Sequence, residues 1–365
     1  MSSPSLSLEL KALDLSAEWV QALVQAHRQV FDSGVDGHWA RWKYGQGVGA
    51  GLFNDRELAA FCGGVPRQLW WRGRLVKGLQ ITDVMVQERW RQTGRQGGAF
   101  ARVSAALYGE QLGAPAAPSI VHRRSARFAV GFGFPSHRHL RLARQLKLLQ
   151  DAGPVRAAVW TAGARPVMQQ ILNDHGRRGG AWVAERLEGP AAMQAVQRGW
   201  EQMRPALDRA VVGDRRWEVL HWRHQEQPPR PEGGQAPAAV QWIGLRQPWQ
   251  RSPAGVLVLR LPPSAGSDSR STGRAPGGKA TWLDWIGHPK LLRLAWAHAL
   301  EASLSSGAVE MHGWFTDLPW GLLAQTEPAA LAETARIGVP VAGQFNEQDL
   351  KGLAWWMMAG DTDFL

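Results

Sequence analysis

Apolar residues recur at helical spacing over Ala17–Phe31, at Val20, Leu23, Val24, Ala26 and Val30, and predict an amphipathic helix. His38–Tyr44 follows as a second helical segment, with Trp39 and Trp42 one turn apart, and Gly45–Gly51 reads as a turn. Looser alternation over Glu57–Val65, Gln68–Trp71 and Val76–Val86 predicts three strands. The stretch from residue 91 to 98 is too polar and Gly-rich for regular structure. Ala99–Leu112 then returns to helical periodicity, and Gly113–Pro118 breaks the chain. Ala126–Gly131 predicts a strand, and Ser136 is placed to cap a helix over His137–Leu149. A Pro-containing junction, Asp151–Pro154, marks a domain boundary.

The second half repeats this alternation with fewer landmarks. Ala191–Ala210 predicts a helix with a break at Pro205, and Arg216–His221 a strand or the entry to a helix. Val240–Leu245, Gly255–Leu261, Ala280–Ile286 and Ala308–Phe315 predict strands, and Pro289–Ser305 a helix. Gln225–Ala238 reads as a loop, and the low-complexity run from 262 to 279 as disordered surface. At the end, Trp355-Trp356 and Phe364-Leu365 imply a tail tied into a core. Trp42-Lys43-Tyr44 in the first half is echoed by Trp222-Arg223-His224 in the second, each ahead of strands. A duplicated domain is the expectation, divided as residues 1–153 and 154–365.

With 365 residues, 44% of them apolar, two domains with sizeable cores are possible. One cysteine, Cys62, excludes an intrachain disulfide. The first residues lack a basic and an apolar region, and no window resembles a membrane span, so a cytoplasmic location is expected. The net charge of +11 is uneven: residues 1–153 carry +9 and the remainder +2. A basic first half attracts polyanions, whether nucleic acid, anionic lipid or a phosphorylated ligand. Arginine dominates over lysine, a bias that genome composition alone can produce. No helix-turn-helix, zinc or RNA-binding signature accompanies the charge, which argues against nucleic acid. His122, His137 and His139 have no Cys or carboxylate cluster beside them, so no metal site is expected. No Gly-x-Ser-x-Gly nucleophile motif occurs.

The chemistry concentrates in Asp83–Phe100. A strand ending in Val84, Met85 and Val86 leads into Arg91-Gln92-Thr93-Gly94-Arg95-Gln96-Gly97-Gly98, and that into a helix. Glycines let successive N–H groups converge on an anion. A helix N-terminus adds partial positive charge. Arg89, Arg91 and Arg95 add full charges suited to phosphate. The run is no P-loop, since no Gly-Lys-Ser/Thr follows.

This segment resembles the acyl-CoA loop of the GNAT superfamily of N-acyltransferases, with its Gln/Arg-x-x-Gly-x-Gly/Ala pattern. Arg91 and Gly94 fit, whereas Gln96 stands at the last Gly/Ala position, with Gly97 and Gly98 just after. Asp83-Val-Met-Val and Gly131-Phe-Gly-Phe-Pro135 extend the resemblance to roughly residues 15–150. It implies an α/β (α+β) fold of two GNAT-like domains, each a mixed, mostly antiparallel sheet flanked by helices with splayed central strands. The second copy is expected to be degenerate, because Gly287-His-Pro-Lys290 after Trp282-Leu-Asp-Trp-Ile286 is too short and Gly-poor for a phosphate loop. The resemblance further implies acetyl-CoA or another acyl-CoA as cofactor, held by Val84, Met85, Val86 and the residues from Arg91 to Gly98. The acceptor would be a small-molecule or sugar-linked amine. Asp83 is the candidate base and Glu88 the second choice. Neither tyrosine, Tyr44 or Tyr108, lies after the fifth strand, where the superfamily often keeps an acid; Ser136 or His137 stands there instead. A catalytically inactive scaffold and a basic nucleic-acid binder are the competing functions.

Overall fold

The computed structural model describes residues 8–91, 98–113, 127–228, 239–262, 278–341 and 353–362. In the first half these form β1 (Glu9–Ala12), α1 (Ala17–Phe31), α2 (Gly37–Tyr44), β2 (Val48–Asn54), β3 (Glu57–Trp71), β4 (Arg74–Val86), α3 (Ala99–Leu112), β5 (Val130–Gly133), α4 (His137–Gln145) and β6 (Leu149–Thr161). The second half adds α5 (Arg165–Gly179), β7 (Val183–Leu187), α6 (Gly189–Ala206), β8 (Ala210–Gly213), α7 (Trp217–His224), β9 (Val240–Arg246), β10 (Gly255–Arg260), β11 (Gly278–Gly287), α8 (Leu292–Ser305), β12 (Ala308–Phe315), α9 (Asp317–Leu323), β13 (Ala330–Pro340) and β14 (Ala354–Trp356).

Among the described residues the strands join one continuous sheet in the order β1-β2-β3-β4-β5-β13-β6-β12-β11-β10-β9-β7, with β8 bridging β3 and β14 beside it. The order is palindromic about its centre. Each half is an antiparallel meander (β2-β3-β4 and β9-β10-β11) followed by one parallel pairing, β4 with β5 and β11 with β12. The two long strands β6 and β13 are exchanged: β13 lies against β5 and β6 against β12. The fold is thus mixed α/β with helices on both faces. The echoed tripeptides occupy matching helices, and their tryptophans meet: Trp42 stacks on Trp222 with ring centroids 4.9 Å apart.

In the first half, α1 and α2 cover one face of the sheet. Trp19, Leu23, Trp39 and Tyr44 pack there on Phe53, Phe61 and Met85. The opposite face is covered by α3 and α4, where Val103, Leu107, Tyr108 and Leu140 pack on Leu52, Ala60, Leu79 and Ile81. Strand alternation sends Phe61 to one side and Ala60 to the other. The largest core lies in the second half, around buried Trp160, Trp282, Trp285 and Trp296. This accounts for much of the chain's Trp content.

Several sequence expectations need correction. The segment Gly45–Gly51 turns only as far as Gly47, and Val48 opens β2. Glu57–Val65 and Gln68–Trp71 are one strand. Pro66 is tolerated within it because β2 stops pairing at Gly64 and β8 begins at Leu69, so that edge lacks a partner at the proline. The strand expected at Ala126–Gly131 is β5 (Val130–Gly133), and Ala126 is outside the described residues. The helix after Ser136 ends at Gln145, because Lys147 turns the chain with φ 55° and Leu149 begins β6. The boundary at 153/154 falls inside β6, with Gly153 at φ 128°. In the run from 262 to 279, Gly278 and Lys279 already belong to β11, and residues 263–277 lie outside the described residues.

Candidate active site

β4 and β5 pair in parallel from Gly78 opposite Val130 to Ile81 opposite Gly133, and then part. Close approach at the last pair requires glycine, since a Cβ on Gly133 would stand 2.9 Å from the Ile81 carbonyl oxygen. Just beyond, β4 bulges: Thr82 faces Gly63 and Met85 faces Phe61, so Asp83 and Val84 together oppose Cys62. Asp83 has φ 49°, a left-handed conformation that strains a residue with a side chain. The bulge takes Asp83 and Val84 out of register and turns the strand away from β5.

A cavity of about 530 Å³ opens at this divergence. It is lined on the α1–α2 face by His27, Phe31, Val35, Trp39 and Lys43, and on the α3–α4 face by Tyr108, Ser136, His139 and Leu149. Thr82, Asp83, Val84 and Phe134 stand between them. The cavity therefore passes through the sheet where the strands separate, and two reactants could approach from opposite faces.

Asp83 is the electrostatic centre of the wall. Its Oδ2 accepts a hydrogen bond from the Tyr44 hydroxyl at 2.6 Å and lies 2.9 Å from Lys43 Nζ. Thr82 Oγ1 donates to Oδ1 at 3.2 Å, and His27 Nε2 lies 3.7 Å away. Lys43 is buried and also sits 5.1 Å over the Trp39 ring. Burial alone would raise the Asp83 pKa, but the Lys43 charge, His27 and the Tyr44 bond outweigh it and hold the carboxyl far below the usual carboxylate range. Asp83 is a fixed anion. So low a pKa makes it a weak proton acceptor, which counts against the base role expected from sequence.

On the other face, His139 lies three residues after the α4 cap Ser136, whose Oγ accepts from the His139 N–H. The imidazole meets Phe100 edge-on at 5.0 Å, and its buried Nε2 has no hydrogen-bond partner among the described residues. Burial lowers its pKa to about 4, so the ring is neutral at pH 7. Tyr108 and Cys62 behave in the opposite sense. Burial holds the Tyr108 hydroxyl well above its usual range and pushes the Cys62 thiol up to about 12. Cys62 is an inert core group, whereas Tyr108, though buried, lines the cavity.

The other expected residues are distributed as follows. Val84 lines the cavity, Met85 is buried in the α1–α2 core, and Val86 packs toward α3. Glu88 lies on an open surface depression with Arg56 and Arg91, away from the cavity, so it does not share Asp83's site. Arg91 Nε donates to the Val86 carbonyl at 3.2 Å, and Arg89 pairs with Glu57. Gln92, Thr93, Gly94, Arg95, Gln96 and Gly97 lie outside the described residues, as do His122, Arg123 and Arg124. Gly98 is the N-cap of α3 and has no side chain with which to cap the first turn. His137 does not reach the cavity; its Nε2 lies 3.6 Å from Glu333 on β13. Sequence reasoning did not bring His27, Lys43, Tyr44 and His139 to this site: Tyr44 was weighed as an acid and His139 as a metal ligand, and both were set aside. The Trp-Lys-Tyr echo was the available signal for two of them.

The second half lacks an equivalent opening among the described residues. β11 and β12 also part, after Trp282 opposite Gly313. The chain's own tail enters that gap. Met358 bridges to Phe315, and Thr316 N–H donates to the Met357 carbonyl. Gly360 packs so closely that a Cβ would stand 3.0 Å from the Leu283 carbonyl oxygen. Asp361 pairs with fully buried Arg215 at 2.5 Å and with Arg223 at 3.3 Å, and Arg215 also binds Asp284 at 3.1 Å. Burial, with Asp361 adding to it, pushes Asp284 up to about 6 against the pull of Arg215. The Asp361 carbonyl accepts from Gln80 Nε2 at 3.2 Å, which ties the tail to the floor of the first cavity.

No family profile matches the chain, and no curated protein matches it in sequence. Solved structures do match. A conserved protein of unknown function from Enterococcus faecalis V583, named as a probable N-acyltransferase, aligns over 91% of this chain and 72% of its own, with 11% identity and a TM-score of 0.58. A GCN5-related N-acetyltransferase from Kribbella flavida aligns over 92% and 72%, at 15% identity and TM-score 0.57. Saccharomyces cerevisiae N-myristoyltransferase with bound myristoyl-CoA aligns over 96% and 84%, at 9% identity and TM-score 0.53. The fold is that of the GCN5-related N-acetyltransferases, and the alignments run through both halves.

Proposed function

We propose that this chain is an acyltransferase that moves an acyl group, acetyl in the simplest case, from acyl-CoA to an amine acceptor at the β4/β5 divergence. The observation that carries the proposal is the cavity at the Asp83 bulge, lined by residues from both faces of the sheet. Bound acyl-CoA would supply an activated thioester. The residues present suit such a group. The N-cap of α3 is Gly98, which has no side chain to cap the first turn, and the N–H groups and partial charge of that turn suit phosphate. Arg91 precedes that turn in the chain. The Asp83–Val84 bulge supplies main-chain groups out of register with β3, suited to polarising a carbonyl. Asp83, held by Lys43 and Tyr44, positions the bulge and keeps the local charge balanced.

On this proposal the amine enters from the α1–α2 face, past Phe31, Val35 and Trp39. The second half, its gap taken by residues 357–362, shapes and supports the first. The chain would work as a single unit of residues 1–153 and 154–365 sharing β6 and β13. No helix among the described residues is long and apolar enough to cross a membrane. A cytoplasmic acyl-CoA pool would suit the activity.

Calorimetry with acetyl-CoA and CoA tests this directly. Micromolar binding is expected, and Arg91→Ala with Arg95→Ala should weaken it at least about tenfold, by removing two charge-assisted phosphate contacts. No binding at millimolar CoA would overturn the acyltransferase assignment and leave an inactive scaffold.

A further inference from the structure

Three side chains on the wall of the cavity contact one another in series. Ser33 Oγ lies 2.6 Å from His27 Nδ1, and His27 Nε2 lies 3.7 Å from Asp83 Oδ1. All three line the cavity. The local fold explains the meeting. His27 stands near the end of α1, and Asp32 closes that helix in the left-handed conformation at φ 49°. The chain turns there and brings the Ser33 hydroxyl to the His27 ring. The imidazole is buried and packs on Phe31 and Trp39, with ring centroids 4.7 Å away in each case. Asp83, a fixed anion, favours the tautomer whose proton sits on Nε2, toward its carboxylate. Nδ1 is then the acceptor, and the Ser33 hydroxyl donates to it. The longer contact to Asp83 is of the kind that tightens as charge develops on the ring. A hydroxyl, a ring nitrogen that can take its proton and a carboxylate that steadies the resulting cation are the parts of an activated serine. Other hydroxyls on the wall are engaged differently. Thr82 donates to Asp83, Ser136 caps α4, and burial holds the Tyr108 hydroxyl well above its usual range.

We propose that Ser33 is a nucleophile, with His27 as its base, and that the acyl group passes from coenzyme A to Ser33 before it reaches the acceptor. The proposal rests on acyl-CoA being the donor. In the first step the Ser33 oxygen bonds to the thioester carbonyl carbon and its proton passes to His27 Nδ1. The carbon–sulfur bond breaks with its electron pair going to sulfur, the imidazolium gives its proton to the departing thiolate, and CoA leaves. In the second step the amine bonds to the carbon of the serine ester. Its proton goes to His27 and then to the Ser33 oxygen as the carbon–oxygen bond breaks. Water follows the same course more slowly when no amine is present, and releases the carboxylic acid. Asp83 takes no proton in either step; it is a positioning residue that holds the ring in the working tautomer.

Because the first step needs no acceptor, acetyl-CoA alone tests it. Wild-type protein mixed with acetyl-CoA, quenched in acid and measured by mass spectrometry should carry an acetyl group on the peptide that holds Ser33. Free CoA should appear in a burst equal to the protein present. Ser33→Ala should abolish both while still binding CoA in calorimetry, and Ser33→Cys, which restores a nucleophile, should regain the adduct. His27→Gln should slow the burst by at least about a hundredfold, the usual share of a positioned base. Asp83→Asn, which offers the ring an N–H and turns its tautomer, should slow it by a similar factor with CoA affinity unchanged, a split that a merely structural carboxylate would not give. Wild-type protein that binds CoA but shows neither adduct nor burst overturns the role of Ser33 and leaves the acyl-CoA assignment standing. An adduct that survives Ser33→Ala overturns it as well. Failure of CoA to bind overturns the acyl-CoA assignment, and the role of Ser33 falls with it.

Discussion

The Asp83–Lys43 pair makes a quantitative prediction. Lys43→Met removes the ammonium 2.9 Å from Asp83 Oδ2 and leaves the rest of the side chain's volume in place. At an effective dielectric near 20, a charge pair at that distance interacts by roughly 5–6 kcal/mol. Stripping one partner from a buried pair costs about 3–5 kcal/mol. Tyr44 at 2.6 Å and Thr82 at 3.2 Å still donate to the carboxylate, so the low end applies, about 3 kcal/mol. Urea denaturation of the single variant at pH 7 should show that loss. Adding Asp83→Asn removes the stranded charge, and the double variant should recover to within about 1–2 kcal/mol of wild type. The Asp83 carboxyl is held below its ordinary range in the folded protein. Its contribution is therefore complete above the unfolded value near pH 4 and is lost as pH falls toward the folded one. The cost of Lys43→Met should be flat from about pH 5 to 8 and shrink only at lower pH. A cost below about 1 kcal/mol, or a double variant no more stable than the single, would refute the fixed-anion account.

Three further outcomes are expected. Asp284 is raised to about 6, so its share of stability is present at low pH and lost as pH rises through that value. Wild-type stability should gain between pH 7 and 5 from this group, and the gain should be missing in Asp284→Asn when the two melting profiles are compared. Gly199 on α6 lies against β11 so tightly that a Cβ would stand 2.4 Å from the Ile286 carbonyl oxygen. Gly199→Ala should therefore destabilise by about 1–3 kcal/mol despite alanine's better helix propensity, measured by denaturant midpoint. Cys62, fully buried and with its thiol raised to about 12, should react with a soluble disulfide reagent only after unfolding. Rapid labelling of native protein would contradict that.

The sequence by itself determined those elements whose residues carry local signals. Helices α1, α3 and strand β12 fall at the boundaries that periodicity and flanking glycine mark, and the Ser136 cap is in place. The echo between the halves was visible in two tripeptides, which lie at the ends of α2 and α7, where Trp42 stacks on Trp222. The Asp83–Val86 strand stood out in the sequence because loop glycines and arginines follow it. Only tertiary structure decided the rest. β6 and β13 exchange between halves through register with distant strands, which no local pattern encodes. The cavity requires α1, α2, β4, β5 and α4 to converge, so His27, Lys43, Tyr44 and His139 acquire meaning only together. Asp83 illustrates the difference. Its place beside the site was readable from sequence, but its state as a fixed anion depends on Lys43 and Tyr44, about forty residues away in the chain. Burial and charge are properties of that convergence, and together they hold the Asp83 carboxyl well below the usual carboxylate range.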